Sequence, residues 1–454
     1  MKRPLNLLVL LSFLFTAAAC SDSSPGAGGA GGTAGVGGEA GMGGQAGMGG
    51  QAGMGGEGGM GGTAPKGTCH SSVPDLLSEW SLFADIRNQV PADGVIPFNV
   101  TSPLFTDDAL KFRFVALREG GTLTYSNDTT RWEGPVGTIY AKTFAYPPNM
   151  LDPETDGLDQ LIETRLLVHV AAEDDRLGCS GAESCWQVHV YVYEDDMEDA
   201  VCQSGGATVS VEYTDPLTDL QELVPDYGVP SNGACRRCHG TETRSLGPST
   251  GMLNRGNDYG DEMVDNQIDQ LFELGMLAPE PGPEMNRVRY ANPKGLTESC
   301  QSPECYHEAA RSWFDSNCSH CHALDGEAAG TGIYLDYASM DPTDPTDGDF
   351  KKWGVCKDPT SAGGVKNCNN ATHDIVPGEP DQSITLCRID SVTPGEMMAP
   401  LGWSLFDDSG YEVIRGWIEI LPVLFPNIPT CSDTGSGGAG GMGGNGGAGG
   451  AAGF

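Results

Sequence analysis

Two five-residue segments carry the chemistry of this sequence, Cys235-Arg-Arg-Cys238-His239 and Cys318-Ser-His-Cys321-His322. Each is C-x-x-C-H, the attachment signature of c-type haem. The two thiols of one motif add across the haem vinyl groups, and the two-residue spacer lets both sulfurs reach one edge of the porphyrin. The adjoining histidine then coordinates the iron. Cys-x-x-Cys alone also makes zinc knuckles and redox dithiols. Two copies, each followed by histidine, in a chain that opens with an export signal, favour two covalently attached haem c groups. The expected cofactor-binding residues are therefore Cys235, Cys238, His239, Cys318, Cys321 and His322, with His239 and His322 as proximal iron ligands. His320 reads as an ordinary spacer.

The elements that must hold the second motif are visible around it. Residues 309–314 form a short helix candidate leading into it, and downstream comes Pro394-Gly-Glu-Met-Met-Ala-Pro-Leu-Gly402. In residues 410–421, Tyr411, Ile414, Ile418 and Leu421 recur at helical spacing. Helix, C-x-x-C-H, methionine-bearing loop and closing amphipathic helix, in that order, resemble class I cytochromes c. The resemblance implies a thioether sixth ligand. Met398 fits it better than Met397, because Met398-Ala-Pro-Leu-Gly is similar to the family's Met-Pro-Pro-Leu-Gly. Either methionine could instead pack on the haem edge. Around the first motif no spacing singles out a sixth ligand: Met252, Met263, Met276, Met285 or a distant histidine are all compatible, and so is an open iron.

Residues 68–228 contain no haem motif. Short runs rich in β-branched and aromatic residues, among them 97–101, 112–116, 137–144, 162–170, 186–193 and 208–213, are separated by turn signals and predict antiparallel strands. Gln187-Val-His-Val-Tyr-Val-Tyr alternates strictly, with His189 on the face of Gln187 and Tyr191. His169 and His189 read as strand histidines satisfied locally. No Ser-His-Asp or paired-carboxylate spacing argues for a hydrolase.

Taken together, Pro97-Phe-Asn-Val-Thr-Ser-Pro-Leu-Phe-Thr-Asp-Asp-Ala-Leu-Lys-Phe-Arg-Phe-Val, Gly134-Pro-Val-Gly-Thr-Ile-Tyr-Ala-Lys-Thr-Phe, Leu161-Ile-Glu-Thr-Arg-Leu-Leu-Val, Ile375-Val-Pro-Gly-Glu-Pro and both haem motifs resemble a bacterial family of exported dihaem c-type cytochromes. The resemblance spans roughly residues 80–425. It implies an α+β multidomain chain: an antiparallel β-rich domain (68–228), then two mainly α-helical cytochrome c-like haem domains, a first c-haem region (229–296) and a second cytochrome c domain (297–431).

The ends carry an address. Residues 1–19 have a basic start, an apolar run and Thr-Ala-Ala-Ala before Cys20, which reads as a lipoprotein signal peptide with Cys20 as the lipidated residue. Acyl chains there would anchor the chain to a membrane, and Ser21 points to the outer membrane, facing the periplasm or cell surface. Residues 20–67, with four Gly-Met-Gly-Gly hexads, predict a flexible tether of about 40 Å reach. Residues 432–454 predict a tail of the same kind. Ten further cysteines suggest disulfides in an oxidising compartment, with close spacing favouring Cys179–Cys185, Cys300–Cys305 and Cys356–Cys368, and Cys69–Cys431 stapling the ends. The acidic loops 152–159 and 341–349 could offer oxygen ligands to calcium.

A formal charge of −37 excludes a nucleic-acid partner. The expected function is a lipid-anchored dihaem electron carrier, not a catalyst, exchanging electrons with a periplasmic redox protein such as a dehydrogenase or reductase. The rival is a dihaem peroxidase or oxidase with an open first haem. Against it, the two motifs lie closer together than in that peroxidase family.

Overall fold

The structure is a computed structural model and describes residues 67–147, 160–172, 179, 182–214, 221–240, 244–258, 264–293, 302–341, 343–359, 368, 371–400, 402 and 404–431. The signal segment, Cys20, the tether, the loop 152–159, Met263, Cys300 and the Gly-rich tail lie outside the described residues. Among the described residues no helix is long and apolar enough to cross a membrane.

The alternating segments build a six-stranded antiparallel sheet. Its strands are β1 (Val95–Phe98), β2 (Leu110–Ala116), β3 (Ile139–Tyr146), β4 (Gln160–Ala171), β5 (Ser184–Tyr193) and β6 (Ala200–Cys202), side by side in chain order. The two-residue period sorts their side chains onto two faces. Phe114, Ala141, Leu166 and Tyr191 face one side and close a core with Leu77 and Val95. His189, opposite Leu166, shares that face and stacks on Trp80 with 5.8 Å between ring centres. The other face carries a row of three cations in register, Arg113 opposite Lys142 and Lys142 opposite Arg165. A hairpin of β7 (Ala207–Thr214) and β8 (Gln221–Val229) covers part of this face, where Val211, Tyr227 and Val229 meet Phe144 and Val190.

Seven helices follow among the described residues: α1 (Asn232–His239), α2 (Thr250–Leu253), α3 (Gln267–Glu273), α4 (Pro303–Asn317), α5 (Asp347–Lys352), α6 (Ile384–Ile389) and α7 (Asp408–Leu424). The chain is thus α+β. The part beyond the sheet is less helical than expected, because Gly- and Pro-containing turns join short helices and disulfides tie the turns down. The pair α4 and α7 is the exception. Trp313 and Phe314 pack against Ile414 and Trp417 in one core. Gly410 and Gly416 permit the approach: a Cβ there would stand 2.4 Å from the Trp313 ring nitrogen and 2.5 Å from Tyr306. Trp417 donates its indole N–H to His307 Nδ1 (2.9 Å), and Trp313 donates to Asp407 (3.0 Å).

One segment joins these parts. Between β1 and β2 the backbone or side chains of residues 99–107 bond in turn to α3, the end of α2, α4 and the loop before α7. Asn99 exchanges hydrogen bonds with Gln267 of α3 (2.7 and 2.9 Å). Thr101 donates to the Met252 carbonyl (3.0 Å). Ser102 donates to the Ser312 carbonyl and accepts from Ser316 on α4 (2.9 and 2.7 Å), and the Phe105 N–H donates to Asn317 (2.8 Å).

Disulfides join Cys69–Cys202, Cys179–Cys185, Cys356–Cys431 and Cys368–Cys387. Cys179–Cys185 follows the spacing. Cys305 is disulfide-bonded, and its expected partner Cys300 lies outside the described residues. The expected Cys356–Cys368 and Cys69–Cys431 pairs are replaced. The two ends are each stapled inward, to an edge strand and to the loop after α5, and not to one another.

His189 and His307 are buried, and desolvation pushes both down to about 4. A histidine held neutral stabilises the fold above its unfolded value of 6.5, and that contribution is lost as pH falls from 6.5 towards 4. Each should cost about 2 kcal/mol of unfolding free energy at pH 5 relative to pH 7. Denaturant unfolding of His189→Phe at the two pH values should show a smaller loss on acidification than the parent; an identical loss would refute this.

Candidate functional site

Between the cationic face of the sheet and the helices lies a cavity of about 960 Å³, at the upper end of the range for cofactor pockets. Cys235, Cys238, His239, Cys318, Cys321 and His322 all line it, and Met398 does too. The first motif is the body of α1, whose N-terminus is capped by the Ser231 hydroxyl accepting from Ala234 N–H (3.2 Å). The second motif follows the end of α4, where His322 N–H and Cys318 carbonyl close a turn (2.8 Å).

The donor set suits two covalently bound haems. Nine described cysteines are disulfide-bonded, yet the four motif thiols stay free. Burial pushes the Cys235 and Cys318 thiols up. The Arg244 carbonyl accepts a hydrogen bond from His239 Nδ1 at 2.7 Å. That bond assigns the proton to Nδ1 and leaves Nε2 as a free lone pair for a metal. Burial holds the His239 ring at about 4, so it is neutral at physiological pH. His322 bonds the Ile333 backbone, and burial also lowers it.

The two motifs touch. Ligand atoms of Cys238, His320 and Cys321 lie within 4.8 Å of one another, so the sulfurs that would carry two separate macrocycles are neighbours. Arg237 pairs with Glu327 (3.1 Å), and Arg244 pairs with Asp325 while donating to the His320 carbonyl (3.2 Å). His320 therefore stands at the junction of the two motifs.

The two methionines of the loop separate. Met397 is buried in the α4–α7 core, whereas Met398 lines the cavity. Their loop is held from the sheet side by Asp107, which is buried and takes a positive φ of 45°. Its carboxylate accepts from Ser404 N–H (2.7 Å), Ser404 hydroxyl (2.7 Å) and Leu405 N–H (2.8 Å). On the side of the first motif, Met252 lines the cavity, and Arg131 reaches its sulfur at 3.8 Å. Met276 packs in another cluster, and Met285 is 89% exposed. His169 uses both nitrogens, on the Gly134 carbonyl (2.8 Å) and the Ser184 hydroxyl (3.0 Å), and stacks on Trp186. His189 faces away from the cavity. His169 is a strand histidine satisfied locally, as expected, whereas His189 is a buried strand histidine stacked on Trp80.

In the loop 341–349, Asp341 accepts from Thr343, and Asp349 bonds Thr346 and Lys352. These carboxylates are spent on turns and a helix cap. Among the described residues the group of three or more convergent metal-ligand side chains is Cys238, His320 and Cys321. Sequence reasoning missed Asp107 and the cations Arg113 and Lys142, which line the cavity. Their signal was a charge in mid-strand, as in Ile139-Tyr-Ala-Lys142-Thr-Phe. No family model, curated protein or solved structure matches the chain.

Asp107→Ala leaves two backbone N–H groups without their acceptor. Stability should fall by about 1–3 kcal/mol, and hydrogen exchange should accelerate at Ser404 and Leu405 first. Unchanged exchange there would show that Asp107 does not hold the loop.

Proposed function

We propose that this chain is a dihaem c-type cytochrome that transfers electrons between extracytoplasmic redox partners. The observation that carries this reading is the convergence of two free-thiol C-x-x-C-H turns and Met398 on one cavity, in a chain whose other described cysteines are all oxidised. Cys235 and Cys238 would hold the first haem with His239 as proximal ligand. Cys318 and Cys321 would hold the second, with His322 and Met398 as its iron ligands. Bound there, each group supplies a one-electron ferric/ferrous couple, and a thioether ligand raises the potential.

The residues around it do three things. Backbone carbonyls fix the imidazole orientation at His239, and Asp107 steadies the Met398 loop. The closeness of Cys238 to Cys321 would bring the two attachment points together, which favours electron exchange between groups held there. The packed α4–α7 pair, with the second motif after α4 and the Met398 loop before α7, supports reading residues 297–431 as a cytochrome c-like haem domain. The lipid at Cys20 and the tether would keep the carrier at the outer membrane, within reach of a periplasmic dehydrogenase or reductase.

One observation favours the second reading, a peroxidase or oxidase with an open first iron. Met252 is the candidate methionine on that side of the cavity, and its sulfur already takes an N–H from Arg131.

The mature protein should show two c-type haems per chain by pyridine haemochrome, both low-spin. Met398→Ala should lower the potential of one haem, on the order of 0.1 V, and render it high-spin; an unchanged potential removes Met398 from the ligand set. A high-spin haem in the parent that turns over peroxide would replace electron transfer by the second reading.

A further inference from the structure

The row of cations on the sheet is poorly compensated for its depth. Arg165 is paired with Glu163 (2.8 Å through Nε), and Glu163 also accepts the Tyr227 hydroxyl (2.9 Å). That carboxylate is thereby engaged. Arg113 donates to the Lys111 carbonyl at 3.2 Å, and no described carboxylate lies within ion-pair distance of it. Lys142 has the face of Phe144 5.0 Å from its nitrogen, and no described hydrogen-bond or ion-pair partner. Both residues line the cavity. Lys142 lies close enough to Cys235, Cys238 and His239 to act on them electrostatically.

Two neighbouring half-buried cations with no ion-pair partner among the described residues are costly. Desolvation pushes Lys142 well below its ordinary range and Arg113 down to about 10. The anomaly is sharper in a chain with 25 Lys and Arg against 62 Asp and Glu, where acidic partners are abundant. Strand register makes it specific. Arg113 and Lys142 are directly opposite on adjacent strands and line the cavity as neighbours, the arrangement that two carboxylate oxygens or two carboxylates require.

We propose that Arg113 and Lys142 form an anion cradle for carboxylate-type groups beside the first haem. This rests on the two-haem reading. A bound haem brings two propionates, and these are the occupants that match two unpaired cations on the sheet wall of the cavity that His239 lines from α1. The same chemistry would accept a small free oxyanion at the iron.

The test uses the loaded two-haem protein and reads potentials and spectra. Lys142→Gln and Arg113→Gln should each lower the midpoint potential of the first haem, because losing a neighbouring cation favours the ferric form. A tenfold shift in the ferric/ferrous equilibrium would be about 59 mV for one electron. The second haem should stay in place, and Lys142→Arg should restore the parent value. If propionates occupy the cradle, adding acetate or inorganic phosphate leaves the parent spectrum unchanged. If a free anion is the occupant, those probes perturb the first haem in the parent and fail to do so in Lys142→Gln. Potentials unmoved in both Gln variants, with no response to either anion, would overturn the cradle while leaving the two-haem reading intact. Absence of covalent haem would instead defeat the reading on which it rests.

Discussion

Residues 99–107 set the register of the whole molecule. This one stretch leaves β1 and, before β2 begins, bonds to α3, to the carbonyl of Met252, to two turns of α4 and to the loop that follows Met398. These bonds are buried or partly buried, where an unmade partner costs more than a made bond gains. The Arg237–Glu327 and Arg244–Asp325 pairs across the two motifs are exposed by comparison, and surface pairs of that kind hold little. The juxtaposition of Cys238 and Cys321 therefore depends less on the ion pairs beside them than on a seam on the far wall of the cavity. The sheet is a wall of the site.

How much of this could be read from the residues depended on whether local spacing was sufficient. C-x-x-C-H names its chemistry within five residues, and Gln187-Val-His-Val-Tyr-Val-Tyr declares its strand by alternation alone. The closing helix was equally visible in Tyr411, Ile414, Ile418 and Leu421. The disulfides were not, because Cys69 and Cys202 are 133 residues apart and meet only once β6 has docked at the sheet edge. The choice between Met397 and Met398 lay between adjacent residues that point to a core and to a cavity. Lys142 was conspicuous in an apolar strand, but its meaning required knowing which face the cavity lies on, and that knowledge is in the register of three strands.

The distribution of charge follows the same division. Carboxylates dominate the sequence, and those at Asp341, Asp349 and Asp407 are consumed by turns and helix starts. Cations are few, yet Arg113, Arg131, Lys142, Arg165, Arg237 and Arg244 all line the cavity. Four of the six are paired with carboxylates, Arg131 with Asp315, Arg165 with Glu163, Arg237 with Glu327 and Arg244 with Asp325, so the uncompensated positive charge is concentrated at Arg113 and Lys142.

The two long-range disulfides have a mechanical meaning. Cys69 stands near the first described residue and is bonded to Cys202 on the edge strand, and Cys431 is bonded back to Cys356. Tension on whatever precedes Cys69 enters the fold through a covalent link to β6 and is shared by the cross-strand hydrogen bonds beyond it. The intervening loop cannot be peeled away residue by residue. At the other end, force beyond Cys431 is taken up next to α5 and does not unwind α7. Load entering at either clamp is taken up there, and the walls around the two C-x-x-C-H turns do not feel it.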